Sequence, residues 1–191
     1  MTSGPRRIGI FGGSFNPPHM GHVLACHYAL SRWGLSQILV LPSFSHPFGK
    51  PLVSFEHRIA LCRLAFKHLD RWVEVSPLEE ELGGVSYTID TVRAVARKFP
   101  DDKLALILGS DITADLPKWK DAGELQKLVE LLVIPRIDNG VPLGSAKATD
   151  CLLPDISSTR VRAALKQGEA LDSLFPADVR NYIQGRGLYQ E

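Results

Sequence analysis

The sequence predicts an α/β protein with a Rossmann-like, doubly wound parallel sheet and a small C-terminal helical extension. Short runs rich in Ile, Leu and Val alternate with longer segments whose apolar residues recur at helical spacing. This alternation favours parallel strands covered by helices on both faces. The 191 residues include 45% hydrophobic and 23% charged residues, a composition typical of one globular domain. We therefore expect a single domain over residues 1–191.

Five apolar runs bounded by Gly or Pro are the predicted strands, at residues 7–11, 37–41, 72–75, 104–108 and 131–134. Two helical faces lie between them, formed by Val23, Cys26, His27 and Leu30 and, less regularly, by Ile89, Val92, Ala96 and Phe99. This spacing predicts that His27 packs in the core. Residues 42–54 and 135–150 are expected to be long, irregular loops, and the last forty residues a helical extension.

Charge and cysteine content exclude several classes of protein. The net charge of +1, from 22 basic and 21 acidic residues, argues against a surface for nucleic acid or an anionic membrane. Cys26, Cys62 and Cys151 are far apart, which favours buried thiols in a reducing compartment over disulfides or zinc. No apolar run approaches the roughly 18 residues of a membrane helix. Glycines and prolines follow the Arg6-Arg7 pair too closely for an export signal. We expect a cytoplasmic protein.

The stretch GIFGGSFNPPHMGH, residues 9–22, follows the first predicted strand. Gly12 and Gly13 are expected to allow positive φ and the close approach of a phosphate. The spacing fits neither GxGxxG nor GxxxxGK[ST]. Pro17 and Pro18 favour a helix start at residues 18–20. In a parallel sheet this stretch would lie at the carboxyl edge, where ligands bind.

His19 and His22 are three residues apart on the first turn of that helix and therefore share a face. Free N–H groups and the helix dipole attract anions there. The two imidazoles could donate to phosphate oxygens and stabilise charge on a phosphorus under attack. Surface or capping histidines are the simpler alternative. A metal pair is another, but no third ligand is evident nearby, so we predict no metal site.

The stretch DISSTRVRAAL, residues 155–165, predicts a helix that begins near Ser158, because Ser157, Ser158 and Thr159 are good N-cap residues. Arg160 and Arg162 then occupy the first turn, where the dipole disfavours cations. A local rule broken at a helix start indicates function. Hydroxyls, free N–H groups and Arg162 could together hold a polyphosphate. A solvated basic helix end is the alternative.

Two further residues have an open choice of role. Asp111 ends the run LALILGSD at the carboxyl edge, where it could contact a ribose or a hydrated magnesium ion, or cap the next helix. Trp119 is a large ring between two lysines. Taken alone, it is more often a half-buried packing residue than a ligand contact.

These motifs resemble those of a known family. GSFNPPHMGH resembles the (G)xFxPxHxGH signature of the nucleotidyltransferases, and ISSTRVR resembles their ISSTxIR element. One branch, the bacterial nicotinate-mononucleotide adenylyltransferases, is further resembled in SYTIDTV (86–92), LGSDITADLPKW (108–119) and FPADVRNYIQGRGLY (175–189). The resemblance spans nearly the whole chain, except residues 135–150.

The resemblance implies transfer of AMP from ATP to nicotinate mononucleotide, which gives deamido-NAD and pyrophosphate. Positioning and charge stabilisation would carry the rate, because the acceptor phosphate is already a nucleophile. Mg²⁺ would be carried by the ATP phosphates, with water as its other ligands. His19, His22 and Arg162 are the implied catalytic residues. The implied ATP-binding residues are Gly12, Gly13, Ser14, Phe15, His19, His22, Gly109, Asp111, Ile156, Ser157, Ser158 and Arg162.

The same resemblance implies a set of residues for nicotinate mononucleotide, namely Asn16, His46, Lys50, Tyr87, Thr88 and Trp119. Backbone N–H groups of Tyr87 and Thr88 would meet the carboxylate, and Trp119 would stack on the pyridine ring. We expect Thr88 to cap a helix that begins at Ile89. Ser14 and Asn16 stand where many relatives have Thr and Asp. The segment SHPFGK separates His46 from Lys50, which are adjacent in relatives.

Several alternatives stay open at this stage. The acceptor could be nicotinamide mononucleotide or phosphopantetheine, and the cytidylyltransferases share an HxGH site. A class I tRNA synthetase fragment is disfavoured, since the chain has no room for a tRNA-binding domain. The protein could also bind nucleotide as a sensor without turnover. The sequence is compatible with a monomer or a homo-oligomer.

Overall fold

A five-stranded parallel sheet forms the centre of the computed structural model, which describes residues 4–45, 49, 52–138, 141–143, 153–154, 156–169 and 174–190. The strands are β1 (Arg7–Gly13), β2 (Gln37–Pro42), β3 (Val73–Val75), β4 (Lys103–Gly109) and β5 (Glu130–Ile134). Their order β3-β2-β1-β4-β5 means that the winding reverses between β1 and β4. The predicted fold class and all five predicted strands are confirmed.

In the described residues, seven α-helices surround the sheet: α1 (Met20–Trp33), α2 (Phe55–Phe66), α3 (Leu78–Leu82), α4 (Thr88–Lys98), α5 (Ala122–Leu128), α6 (Ser158–Lys166) and α7 (Ala177–Gly185). Two 3₁₀ helices, Lys67–Leu69 and Ser110–Lys118, complete the described helical segments. Side chains of β2 alternate between two buried clusters, with Ile38 and Val40 on one face and Leu39 and Leu41 on the other. Strands buried on both faces produce the continuous apolar runs seen in the sequence.

The helices divide between the two faces of the sheet. Buried residues of α1, α2, α6 and α7 share one cluster, so the C-terminal helices complete that face of the domain. Buried residues of α4 and α5 belong to the other cluster. The face of α1 that packs on the sheet consists of Ala25, Cys26 and Ala29, whose small side chains let the helix approach closely.

Two sequence predictions about α1 and the cysteines have different outcomes. His27 is exposed, so its predicted place in the core is wrong: it lies beyond the buried arc of Ala25, Cys26 and Ala29. Cys26 and Cys62 are buried free thiols, as predicted, and burial raises the pKa of both. Cys151 lies outside the described residues.

Residues 135–150 are not irregular throughout, which corrects the sequence prediction. Two three-residue strands, β6 (Arg136–Asp138) and β7 (Val141–Leu143), pair in antiparallel fashion within them. Strands this short give no usable alternating pattern in the sequence. Among the helices that the structure describes, none has the length and apolar character needed to cross a membrane.

Candidate active site

A cavity of about 580 Å³ opens where β1 and β4 end and the winding of the sheet reverses. This is the position at which parallel α/β sheets bind ligands, and the volume suits a small molecule. We call residues 12–22 in its wall the histidine end, and residues 86–88 with 118–120 the tryptophan end. The predicted site residues in the wall are Gly12, Gly13, Ser14, Phe15, His19, His22, Tyr87, Thr88, Gly109, Trp119 and Ile156.

Phe15 holds the turn between β1 and α1. The positive φ expected at Gly12 and Gly13 lies instead at Phe15, with φ 44°, because both glycines still belong to β1. A non-glycine residue in this region costs of the order of 1–3 kcal/mol. The Phe15 ring is 1% exposed, and its burial, worth about 2–3 kcal/mol, offsets the strain. The ring centroid lies 4.9 Å from that of His22.

His22 lies on the first turn of α1. Its Nδ1 accepts a hydrogen bond of 3.1 Å from the backbone N–H of His19. A neutral imidazole that accepts at Nδ1 carries its proton on Nε2. Burial, together with the neighbouring His19 and Arg136, lowers the pKa of His22 well below its usual value. His22 is therefore neutral at physiological pH, with Nε2–H as its donor.

His19 immediately precedes α1 and is 4% exposed. Burial and the charge of Arg136 lower its pKa to about 3, so it too is neutral. Its ring centroid is 3.8 Å from that of His22, a separation at which two imidazolium ions would repel strongly. Its Nδ1 is buried with no hydrogen-bond partner among the described residues. Such an atom in a cavity wall can be satisfied by a bound ligand.

The His19 ring explains why the residue before His22 is a glycine. A Cβ built at position 21 would lie 3.0 Å from Nδ1 of His19 and 3.1 Å from its Cε1. These distances are too short for the ring to keep its place. The helix therefore contains a glycine at a cost of about 1 kcal/mol relative to alanine, and the His19 ring gains the space.

The N-terminus of α6 joins the histidine end from the far end of the chain. Ser157 is the N-cap, as its residue type predicts, and its Oγ accepts from the backbone N–H of Arg160. Oγ of Ser158 donates to the carbonyl of Pro17 at 2.9 Å, and Nη1 of Arg162 donates to the carbonyl of Asn16 at 2.7 Å. These residues lie beside the cavity wall, and the two sequence motifs meet as the resemblance implies.

Arg136 supplies a cation at the histidine end that the sequence analysis missed. It begins β6, lines the cavity and lies 3.4 Å from the carboxylate of Asp111. Its Nη2 also donates to the carbonyl of Ile156 at 3.3 Å. Asp111 is the second residue of a 3₁₀ helix whose N-cap is Gly109, so the capping alternative for Asp111 is wrong. Its carboxylate pairs with Arg136 outside the cavity wall.

The tryptophan end is more open to solvent. Tyr87 is 39% exposed, and Nζ of Lys120 lies 4.7 Å from its ring centroid. The same Nζ contacts the carboxylate of Asp90 at 2.7 Å. Trp119 is half-buried and both lines the cavity and packs against a core cluster, so each alternative for it has support.

Helix α4 begins at Thr88, one residue earlier than predicted, with Tyr87 as its N-cap. The prediction that Thr88 caps this helix is wrong, because Thr88 already has its place in the first turn. The Tyr87 side chain makes no capping hydrogen bond to the first turn. Tyr87 and Thr88 line the cavity, so the N-terminus of α4 lies at this end, and a helix N-terminus favours an anion.

A buried carboxyl, that of Glu79, also lines the cavity near the tryptophan end. Glu79 of α3 is 7% exposed and accepts a hydrogen bond from Oγ1 of Thr91. Burial raises its pKa, while hydrogen bonds from Ser86 and Thr91 act in the opposite direction. Oγ of Ser86 accepts from the backbone N–H groups of Phe44 and Ser45 at 3.0 and 3.4 Å. The loop after β2 is thus fixed to the residues before α4.

Three other predicted residues have different outcomes. Asn16 is 3% exposed, and its Oδ1 accepts from the backbone N–H of Val53, so it fixes the next loop rather than lining the cavity. His46 and Lys50 lie outside the described residues. In the described part of the chain, no three His, Cys, Asp or Glu side chains come together as a metal site would require.

Sequence reasoning missed Arg58, Arg136 and Glu79. Arg58 could have been found, because it lies among the buried residues Phe55, Ile59 and Cys62 of α2 as an arginine on an apolar face. Arg136 follows the end of β5, as the glycines follow β1, which is a weak signal. Glu79 stands first among three consecutive glutamates, and nothing in the sequence distinguishes it from its neighbours.

A family model described as cytidylyltransferase-like matches residues 10–164, the segment that runs from β1 to α6. The chain belongs to this family of α/β nucleotidyltransferases. A probable nicotinate-nucleotide adenylyltransferase of Anaeromyxobacter dehalogenans is 42% identical over 191 residues, covering 98% of this chain and 99% of that relative. Nicotinate-nucleotide adenylyltransferase of Bacillus subtilis is 32% identical and covers 97% and 99% of the two chains. Within the family, the chain belongs with the nicotinate-nucleotide adenylyltransferases.

A solved structure gives independent support for the fold. Nicotinic acid mononucleotide adenylyltransferase of Plasmodium falciparum, complexed with NaAD, has a TM-score of 0.78 to this chain at 20% identity. The match covers 96% of this chain and 97% of that chain. At this identity the similarity establishes the shared fold alone.

Proposed function

We propose that the chain transfers AMP from ATP to nicotinate mononucleotide, giving nicotinate adenine dinucleotide and pyrophosphate in NAD biosynthesis. One observation carries the proposal: a single cavity joins two neutral histidines at one end to Tyr87 and Trp119 at the other. A dinucleotide product has a matching form, with phosphates in its middle and an aromatic base at the end. The relatives' name, nicotinate-nucleotide adenylyltransferase, describes the same reaction.

The reaction is an in-line displacement at the α-phosphorus of ATP. An oxygen of the acceptor phosphate forms a bond to this phosphorus. The bond to the oxygen that bridges to the β-phosphate breaks, and its electron pair leaves with pyrophosphate. The second pKa of a phosphate monoester is about 6, so the nucleophile is already ionised and no side chain has to remove a proton. Binding and charge stabilisation supply the rate.

The histidine end supplies that stabilisation as neutral donors. Nε2–H of His22 is fixed as a donor because Nδ1 is occupied by the backbone N–H of His19. Donors that are oriented before the reaction contribute about 10²–10³-fold each when they face developing charge. Arg136 adds a full positive charge in the same wall. Together these groups would bind the non-bridging oxygens of the α-phosphate.

We assign the β- and γ-phosphates of ATP to the start of α6. Arg162 has five N–H donors, and within the described residues its side chain contacts Asn16 and Thr159. Its other donors, with the hydroxyl of Ser158 and the free amides of the helix N-terminus, can hold a polyphosphate. This assignment explains why Arg162 occupies a helix position that disfavours cations.

The tryptophan end would bind the pyridine ring. Stacking on Trp119 holds the ring, and the amides at the start of α4 face its carboxylate. Nicotinamide would bring its NH₂ group against these donors and leave both unpaired. We predict that kcat/KM for nicotinate mononucleotide exceeds that for nicotinamide mononucleotide by about 10²-fold or more.

Mg²⁺ would enter with the ATP phosphates. Its other ligands would be water, because Mg²⁺ prefers phosphate and carboxylate oxygens to the imidazoles and the arginine that line the histidine end. When bound, the ion neutralises part of the phosphate charge. The near-zero net charge supports small-molecule substrates over nucleic acid, and the buried free thiols support a cytoplasmic location.

The test is pyrophosphate release from ATP by the purified 191-residue chain, with each acceptor supplied separately. Nicotinate mononucleotide should give rapid release, with nicotinate adenine dinucleotide as the product in mass spectrometry. Nicotinamide mononucleotide should be used slowly, and phosphopantetheine not at all. Equal rates with both pyridine nucleotides would refute the nicotinate preference and leave the adenylyltransferase reaction standing. No release with any acceptor, together with measurable ATP binding, would favour a sensor.

A further inference from the structure

We infer that Arg58 is a positioning residue for the histidine end, a role that rests on the proposed function. Arg58 lies on α2, is 1% exposed and does not line the cavity. A fully buried guanidinium is rare unless it has partners that satisfy it. The reaction described above does not use it.

The contacts of Arg58 reach two separate loops. Nη1 donates to the carbonyls of Ser14 and Ser43, at 3.0 and 2.7 Å. Nη2 donates to the carbonyl of Phe44 at 3.3 Å, and Nε to the carbonyl of Val53 at 2.9 Å. In the part of the chain that the structure describes, its hydrogen-bond acceptors are backbone carbonyls, and none is a carboxylate. The guanidinium therefore joins the loop after β1 to the loop after β2.

Two paths lead from Arg58 to the groups that face phosphate. The first is direct, since Ser14 precedes the strained Phe15, whose ring packs against His22. The second runs through Val53, whose N–H donates to Oδ1 of Asn16 at 3.2 Å. The backbone carbonyl of Asn16 in turn holds Arg162. Arg58 thus fixes the segment on which the positions of His22 and Arg162 both depend.

Only a guanidinium can perform this task. Its planar fork presents donors in several directions at fixed angles, whereas the ammonium of lysine is a single point. Arg58→Lys keeps the charge and much of the apolar stem but cannot reach all four carbonyls at once. The loops would shift by a fraction of an ångström or more. A displacement of about 1 Å at reacting groups can cost 10²-fold in rate.

The first experiment compares Arg58→Lys with Arg63→Lys, the same change at an exposed position of the same helix. Pyrophosphate release and thermal unfolding are measured for both variants and the wild type. We expect kcat of Arg58→Lys to fall about 10- to 100-fold. KM for nicotinate mononucleotide should change less than kcat, because the loop held by Arg58 reaches the tryptophan end through the Ser86 hydroxyl, whereas the segment that carries His22 depends on it directly. Arg63→Lys should match the wild type. A folded Arg58→Lys variant with kcat within twofold of wild type would overturn the inference.

A second measurement uses the wild-type protein alone, so it does not depend on the variant folding. The ¹⁵N signal of Arg58 Nε–H is followed by NMR as α,β-methylene-ATP is added. A group that holds the phosphate-binding segment should shift on binding, and Arg63 should not. An unchanged Arg58 signal in a saturated complex would refute the role. If the wild type releases no pyrophosphate but its Arg58 signal still shifts, the proposed reaction fails and the positioning role stands.

Discussion

The two ends of the cavity are built from different kinds of interaction. At the histidine end, His19 and Phe15 are almost fully buried and fixed by packing and by backbone hydrogen bonds. At the tryptophan end, Tyr87 is 39% exposed, and Lys120 contacts Asp90 through a solvent-exposed ion pair. Exposed pairs contribute about 0–1 kcal/mol and weaken in salt.

This difference teaches how the protein divides its task. Charge stabilisation needs donors that are oriented in advance and shielded from water, because reorientation during the reaction would cost rate. Binding a flat ring needs a surface and an anion-binding edge, which tolerate small movements. We therefore expect substitutions at the histidine end to change kcat strongly, and those at the tryptophan end to change KM for the pyridine nucleotide modestly.

The largest expected effect is that of His22→Ala. This change removes the Nε2–H donor and the ring that packs on Phe15, so kcat should fall by about 10²-fold or more. The kcat of His19→Ala should fall by a similar factor. Steady-state pyrophosphate release measures both, and circular dichroism checks that they fold. His27→Ala, an exposed histidine on the same helix, is the control. Near-normal kcat in both site variants would contradict the assignment of charge stabilisation to the histidine end.

Arg162→Ala should have the next largest effect. It removes the phosphate contacts of the guanidinium and its hydrogen bond to the Asn16 carbonyl. Charged hydrogen bonds of this kind are worth about 1.5–3 kcal/mol, which corresponds to roughly 10- to 150-fold weaker ATP binding. Calorimetry with α,β-methylene-ATP measures the affinity directly. The control is Arg180→Ala, an arginine of α7, which should keep the affinity of the wild type. Unchanged affinity in Arg162→Ala would favour the alternative that the start of α6 is a solvated basic helix end.

Much of the histidine end could be predicted from sequence because its determinants are local. The apolar runs gave the strands, and the hydroxyl residues before Arg160 gave the start of α6. The resemblance implied that both motifs bind ATP, and α6 contacts the segment just before His19. Positive φ was expected at Gly12 and Gly13, but residue type misleads when burial of a ring makes Phe15 the strained position.

The remaining features depend on contacts between distant segments. Arg136 reaches the site only through the β6 hairpin, whose strands are too short to show in the sequence. Glu79 is one of three consecutive glutamates, and its burial is decided by Thr91 and Ser86 on another element. The residues just before α4 are held by hydrogen bonds between Ser86 and the distant residues Phe44 and Ser45. The spacing of apolar residues along the chain carries no information about contacts between such distant segments.

A smaller effect is expected for Gly21→Ala, which tests how closely the histidine end is packed. The new methyl group would lie 3.0 Å from His19 Nδ1 and force the ring to move. Alanine favours the helix by about 1 kcal/mol, and this gain offsets the cost of the contact with the ring, so the free energy of unfolding should stay the same. The displaced His19 ring should lower kcat about tenfold. Gly123→Ala in α5 is the matched control, because a Cβ there has no atom within 4 Å. If the two variants have equal kcat, the His19 ring tolerates displacement.

The smallest effect is expected for Arg93→Met, which tests the tryptophan end. Arg93 of α4 pairs with Asp121 at 3.1 Å and with Glu124, so it ties the helix that begins at Thr88 to the segment that follows Trp119. Asp121 has φ 51°, a strained conformation that this contact helps to hold. Because these side chains are partly exposed, loss of the pairs should raise KM for nicotinate mononucleotide about threefold, with kcat and ATP affinity unchanged.

Arg97→Met, on an exposed position of the same helix, should have no effect. High salt should reduce the difference between Arg93→Met and the wild type, because it screens the wild-type pairs. A fall in kcat with unchanged KM would show instead that the two ends are coupled.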